Sequence, residues 1–251
     1  MKKILLFALT LLTTMTYAQL KPVLYADGDQ KLHGFSIAPA KGSKGGVLIL
    51  PAWKGIDEHS KTVAKDLAAL GYNAFIADIY GEGKYPADNK AAGEIAGYYK
   101  ANFKSYQQRI KLALTQLIKA GADPNKIVVI GYCFGGTGAL EAARANMPVK
   151  GVVSFHGGLN KEASRPAVQL TPKVLVLHGA DDPSVPQEQV MAFQKEMRDS
   201  KADWQMIYYA NAVHAFTEKS AGNDNSKGAA YNELADKRSW RHFLLFLDEV
   251  L

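Results

Sequence analysis

Short apolar, β-branched runs alternate along the chain with longer stretches whose apolar residues recur every three or four positions. Leu32–Ile37, Val47–Leu50, Ala74–Ala77, Ile127–Ile130, Val152–Phe155, Val174–Leu177 and Gln205–Tyr209 read as strands. Most are apolar without alternation, the pattern of strands buried on both faces of a parallel sheet. Between them, Asp57 is placed to cap a helix whose apolar side is Val63, Leu67 and Leu70, ended by Gly71. A second helix aligns Phe103, Tyr106, Ile110, Leu114 and Leu117 and stops at Gly121. A third starts beside Pro186 and buries Val190, Phe193 and Met197. The last runs from about Tyr231 to Val250, with Trp240, Phe243, Leu244 and Leu247 inward. This alternation predicts an α/β fold: a mostly parallel, doubly wound sheet between helices, in three layers. Ligands of such sheets sit beyond the carboxyl ends of the strands, so functional residues are expected in the loops that follow strands.

The first residues change the picture of the N-terminus. Lys2 and Lys3, an apolar run from Ile4 to Met15, and Thr16-Tyr17-Ala18 have the layout of a secretory signal peptide. The run is short of the ~20 apolar residues that span a bilayer. Residues 1–18 are therefore expected to be a cleaved signal, with 19–251 as one exported domain that has no membrane association after cleavage. The Leu20–Asp29 segment that follows reads as the polar edge of that domain. Among 251 residues, 47% are hydrophobic, enough for a substantial core, and the formal net charge is +6. Basic and acidic residues are interspersed without a Lys/Arg block, which argues for a solvated surface and against nucleic acid as a partner. Cys133 is the one cysteine, so no internal disulfide is possible.

The surroundings of Cys133 separate a buried structural thiol from a reactive one. A strand-like run ends at Gly131, and a helix is expected just after Gly135-Gly136. Gly131-Tyr132-Cys133-Phe134-Gly135 is thus a G-x-nucleophile-x-G elbow with Cys in the serine position. The glycines are needed because the turn is strained and side chains there would clash. The helix aims its N-terminus at the sulfur and favours a thiolate. In α/β-hydrolase folds, where such elbows occur, the acid and then the histidine follow in chain order. Val174–Leu177 leads into His178-Gly179-Ala180-Asp181-Asp182-Pro183-Ser184-Val185-Pro186, and Gln205–Tyr209 leads to His214-Ala215-Phe216. His214 is the candidate base and Asp182 the candidate acid behind it. Asp181 competes for that place, but the G-x-x-D-x-x-V-P spacing favours Asp182 and leaves Asp181 to bond the loop backbone. Oxyanion-hole N–H groups are expected from Phe134 and, in the loop after Val47–Leu50, from Trp53. Tyr80, His156 and Phe216 are expected to bind substrate, although a hydrogen-bonded structural role fits His156 equally well. No HExxH or clustered Cys/His suggests a metal, and GYCFGGTG lacks the Lys-Ser/Thr of a phosphate-binding loop.

The elbow, the His178–Pro186 turn, His214-Ala215-Phe216 and Ala77-Asp78-Ile79-Tyr80 together resemble the dienelactone hydrolase family. A cysteine in the elbow distinguishes that family among α/β-hydrolases. The resemblance implies a Cys133–His214–Asp182 triad, hydrolysis of a small-molecule ester or lactone through a thioester, no cofactor and a monomer. Two features depart from the pattern. The position of the family's thiol-activating glutamate holds Ala52. The positions of the two arginines that grip the dienelactone carboxylate hold Glu82 and Glu218. Reversed charge there points to a neutral ester or lactone. Three alternatives remain: a catalytically silent binding protein on the same scaffold, thioesterase or acyltransferase chemistry, and a redox-sensing thiol. The last ranks lowest because the chain has no resolving cysteine.

Overall fold

The computed structural model describes residues 19–251; the expected signal peptide, 1–18, lies outside the described residues. The chain begins with a hairpin, β1 (Lys21–Asp27) and β2 (Gln30–Ile37), turned at Gly28 with a positive φ of 57°. Then come β3 (Gly46–Leu50), α1 (Glu58–Ala69), β4 (Asn73–Ile76), α2 (Asn89–Ala101) and α3 (Phe103–Lys119). The second half runs β5 (Ile127–Tyr132), α4 (Phe134–Arg144), β6 (Gly151–Phe155), β7 (Lys173–Gly179), α5 (Gln187–Asp199), β8 (Trp204–Tyr209) and α6 (Glu233–Val250).

One sheet holds all eight strands in the order β1-β2-β4-β3-β5-β6-β7-β8, antiparallel at β1–β2 and β2–β4 and parallel from there on. Alternate side chains of the continuous apolar strands supply two cores, one on each face. Val47, Ile49, Val128, Ile130, Leu175 and Leu177 point into the layer covered by α1 and α6. Leu48, Leu50, Val129, Val152, Val174 and Val176 point into the layer covered by α3, α4 and α5. This is the three-layer, doubly wound α/β-hydrolase architecture. The register aligns the carboxyl ends: Leu50 lies beside Gly131, Tyr132 beside Phe155 and Gly179 beside Tyr209. The loops that leave these ends therefore share one edge of the sheet.

Two elements depart from the sequence reading. β1 occupies the polar segment after residue 19; as an edge strand it buries no side chain fully, with only Val23, Tyr25 and Asp27 half-buried, and so shows little apolar signal. α2 is capped by Asp88, whose side chain accepts from the Ala91 N–H at 2.8 Å, but it buries only Ala92, Ala96 and Tyr99, so its apolar stripe is faint. At the ends of predicted helices, Leu70 is an exposed cap residue rather than a core one. α4 starts at Phe134, before the glycine pair, and Trp240 and Leu244 of α6 are only partly buried.

An ion network locks α4 to α5 and to the segment after β6. The buried Arg144 guanidinium donates to both oxygens of Glu196 at 2.9 and 2.8 Å, to Glu141 at 2.9 Å, and to the carbonyls of Leu159 and Asn160. Arg165 closes the other side of Glu141 with two bonds of 2.9 Å and stacks on Phe103. Removing one member strands buried opposite charge. Arg144→Ala is expected to lower unfolding free energy by about 3–5 kcal/mol, read from urea denaturation at neutral pH.

Candidate active site

The turn between β5 and α4 is set by two missing side chains. A Cβ on Gly131 would overlap the Gly135 carbonyl, and a Cβ on Gly135 would overlap the Leu50 carbonyl. With both absent, the first turn of α4 settles directly against the end of β3. Cys133, between them, takes φ 52° and ψ −112°, a conformation L-residues rarely adopt. Its N–H donates to the Phe155 carbonyl at 3.0 Å and to His156 Nδ1 at 3.2 Å, which leaves the sulfur facing outward.

The two partners arrive on neighbouring loops. Asp182 sits in the turn after β7, where its Oδ1 accepts the Ser184 N–H at 2.8 Å. Its Oδ2 lies 2.9 Å from His214 Nδ1, and His214 Nε2 lies 3.0 Å from Cys133 Sγ. Asp181 is exposed and donates its own N–H to the Ala212 carbonyl at 3.0 Å. The His214 backbone is fixed by the Gly228 carbonyl and the Ala230 N–H. Burial opposes a charge on His214, but its hydrogen bonds to Asp182 and Cys133 outweigh that and raise its pKa to about 10.

Phe134 opens α4, so its N–H has no intrahelical acceptor. Neither it nor the Trp53 N–H donates to a protein group among the described residues. The carbonyl of each is held by a tyrosine: Tyr80 Oη donates to Trp53 O at 2.7 Å, and Tyr106 Oη to Phe134 O at 3.0 Å. Burial raises both phenols, keeping them O–H donors. Tyr106 also stacks on the Phe134 ring at 4.5 Å. Asp78 anchors the Tyr80 loop by accepting the N–H groups of Tyr80, Gly81 and His33.

The sulfur opens into a cleft of about 480 Å³ walled by Ala52, Trp53, Val185, His214 and Glu218, among others. Tyr80, His156 and Phe216, expected to contact substrate, are corrected by the structure. They are 2%, 0% and 0% exposed and lie outside the lining of the cleft. Tyr80 braces the loop after β3 instead, and His156 packs edge to face against both His214 and Phe216. Glu82 is exposed and outside the cleft as well. Glu218 is a wall residue whose Oε1 is buried without a hydrogen-bond partner, 3.5 Å from His59 Nε2. Among the described residues no group of three or more His, Cys, Asp or Glu could hold a metal ion, and no helix is long and apolar enough to cross a membrane.

A cysteine elbow at the carboxyl edge of a doubly wound sheet, with an acid and a histidine on the next loops, defines an α/β-hydrolase. The profile of the dienelactone hydrolase family matches residues 32–251, and the chain belongs to that family. It is an enzyme of the ester- and lactone-hydrolysing kind. A dienelactone hydrolase-like promiscuous phosphotriesterase from metagenomic libraries superposes with a TM-score of 0.86 at 35% identity, covering 93% of this chain and 99% of its own. The protein m3DLH superposes with a TM-score of 0.88 at 33% identity, covering 94% and 99%. A Bradyrhizobium protein named as a probable 2-oxo-3-(5-oxofuran-2-ylidene)propanoate lactonase is 26% identical over 88% of this chain and 90% of its own.

Glu218 makes a pH signature. Burial, reinforced by the charges of Asp57 and Asp236, pushes its pKa from 4.5 up to about 8. A carboxyl raised on folding contributes stability below pH 4.5 that is lost as pH rises through 8. Glu218→Gln removes that loss: relative to wild type, its unfolding free energy is expected to climb by a few kcal/mol between those limits. Urea midpoints measured from pH 4 to pH 9 check it.

Proposed function

We propose that the chain hydrolyses neutral carboxylic esters or lactones through a thioester on Cys133. The observation that carries this reading is the unbroken row from Asp182 through His214 to the sulfur, with spacings of 2.9 and 3.0 Å. In the proposed cycle Cys133, its proton held on His214 Nε2, attacks the carbonyl carbon, and the N–H groups of Phe134 and Trp53 bind the developing oxyanion. The tetrahedral intermediate collapses to a thioester as His214 returns the proton to the leaving alkoxide. His214 then takes a proton from water, hydroxide adds to the thioester, and the acid departs as the sulfur regains its place. Asp182 keeps the imidazole in the tautomer that faces sulfur and steadies its positive form. Every proton moves between groups of this chain, substrate and water.

The preference for uncharged substrates rests on the cleft wall, where Glu218 faces the space beside Cys133. Deprotonation of Glu218 or approach of a substrate carboxylate each places negative charge in a poorly solvated site. A phosphotriester, the substrate class in the name of the 35% identical neighbour, is also uncharged. Amides fit this chemistry less well, because a thiolate leaves the tetrahedral intermediate more readily than an amine.

Turnover of chromogenic short-chain esters by wild type, Cys133→Ala, His214→Ala and Asp182→Asn tests the proposal. The first two variants are expected to lose at least about a thousandfold in kcat while remaining folded, with Asp182→Asn also strongly impaired. Mass spectrometry of quenched wild-type enzyme should show the acyl group on Cys133. Equal rates in wild type and both alanine variants would favour a silent scaffold.

A further inference from the structure

We propose that His156 is a positioning residue whose two ring nitrogens tie the nucleophile's turn to the loop that carries His214. This inference rests on the Cys133–His214–Asp182 reading above and assigns a part that the cycle itself leaves without one. His156 is the first residue after β6; it is fully buried and has a positive φ of 40°. Its backbone N–H is pinned to the Leu177 carbonyl at 2.9 Å, so the ring projects from a fixed point between two central strands.

The direction of each hydrogen bond follows from its partner. A backbone N–H can only donate, so Nδ1, 3.2 Å from Cys133 N, carries the lone pair. The ring proton then sits on Nε2, which donates to Thr217 Oγ1 at 2.8 Å. Burial and the neighbouring His214 hold the ring well below the ordinary histidine range, in keeping with this neutral tautomer. Thr217 is three residues beyond His214 on the same loop. One imidazole therefore grips both segments whose separation sets the 3.0 Å sulfur–nitrogen distance. Its edge also meets the His214 ring, 5.4 Å between centroids and 67° between planes, and limits the tilt of that ring from behind. His156 touches no reacting atom, so its effect passes through the geometry of others.

Three substitutions separate positioning from packing. His156→Phe keeps a ring against His214 and Phe216 but removes both hydrogen bonds. His156→Asn restores an acceptor near Nδ1, and asparagine tolerates positive φ. Thr217→Val removes only the acceptor on the histidine loop. Two readouts are taken on each folded variant: ester turnover, and the pH dependence of Cys133 alkylation by iodoacetamide, which needs no ester hydrolysis. His156→Phe is expected to lower kcat roughly 10- to 100-fold with KM little changed, since small misplacements cost that much. Its alkylation midpoint should move to higher pH as the imidazolium loosens from the sulfur. Thr217→Val should show the same changes in smaller measure, and His156→Asn should recover most of both.

Unchanged kcat and midpoint in His156→Phe overturn the proposal; if that variant does not fold, the same result in Thr217→Val does so. A fall in kcat that leaves the alkylation midpoint in place and that asparagine does not relieve overturns it too, because that marks a packing defect. Failure of the triad reading looks different: Cys133→Ala and His214→Ala would then turn over ester like wild type, while the alkylation profiles would still report whether His156 places the sulfur.

Discussion

The site depends on backbone lying against backbone where β5 turns into α4. Gly135 rests on the Leu50 carbonyl and Gly131 on the Gly135 carbonyl, with no room for a carbon at either position. That approach draws the ends of β3 and β5 and the start of α4 into one small volume. It also forces Cys133 into positive φ, at a cost of order 1–3 kcal/mol. The surrounding packing over-determines the strained residue: Thr137 donates to its carbonyl, Phe155 and His156 accept its N–H, and Phe134 beside it is stacked on Tyr106. Strain and display are therefore one feature. The conformation that costs free energy is the one that turns the sulfur toward His214.

The two acids near His214 are given different partners. Asp182 is almost wholly buried yet accepts from Ser184 N–H and bonds His214, so its charge acts on the imidazole at short range. Glu218, in the wall of the cleft, has a buried oxygen with no donor and two further carboxylates, Asp57 and Asp236, nearby. Burial alone would neutralise both His214 and Glu218. Partners decide that the imidazole gains a proton easily while Glu218 holds on to its own. Two acids near His214 thus serve opposite ends: one supports a cation from behind, the other presents a protonated wall to the cleft.

Much of this was legible in the chain wherever a local rule leaves a local mark. Strands buried on both faces read as unbroken apolar runs, the elbow announces itself through Gly131 and Gly135, and the turn before Pro186 and the loop at His214 follow in the expected order. β1 was hidden because an edge strand needs little apolar surface, and α2 because alanines and a single tyrosine make its buried face. The cleft lining was misread for a different reason. Phe216 lies two residues beyond His214, but Ala215 takes φ 57° and turns the chain, sending the phenylalanine into the core. Tyr80 and His156 follow strand ends, yet their directions are fixed by contacts with Trp53, Cys133 and Thr217, all distant in sequence. The state of Glu218 depends on Asp57 before α1 and Asp236 in α6, a meeting that only the folded sheet brings about.

Tyr80, misread as a substrate contact, and Tyr106, expected in the core and found there, both act on the backbone beside Cys133. A donor for a developing oxyanion works by being oriented before charge appears, so that no reorganisation is needed as it forms. A peptide N–H shares its plane with the carbonyl of the residue before it: the Ala52 carbonyl, before Trp53, accepts the Gly55 N–H at 2.9 Å, and the Cys133 carbonyl, before Phe134, accepts the Thr137 N–H at 3.2 Å. Here the carbonyls of Trp53 and Phe134 are each held by a buried phenol, Tyr80 on one side and Tyr106 on the other. The phenols are buried next to each other around the Phe134 ring, where water cannot compete for the carbonyls they hold. The aromatic cluster of Tyr80, Tyr106 and Phe134 therefore holds the backbone on both flanks of the sulfur, and the rigidity of the core passes to the loops beside Cys133.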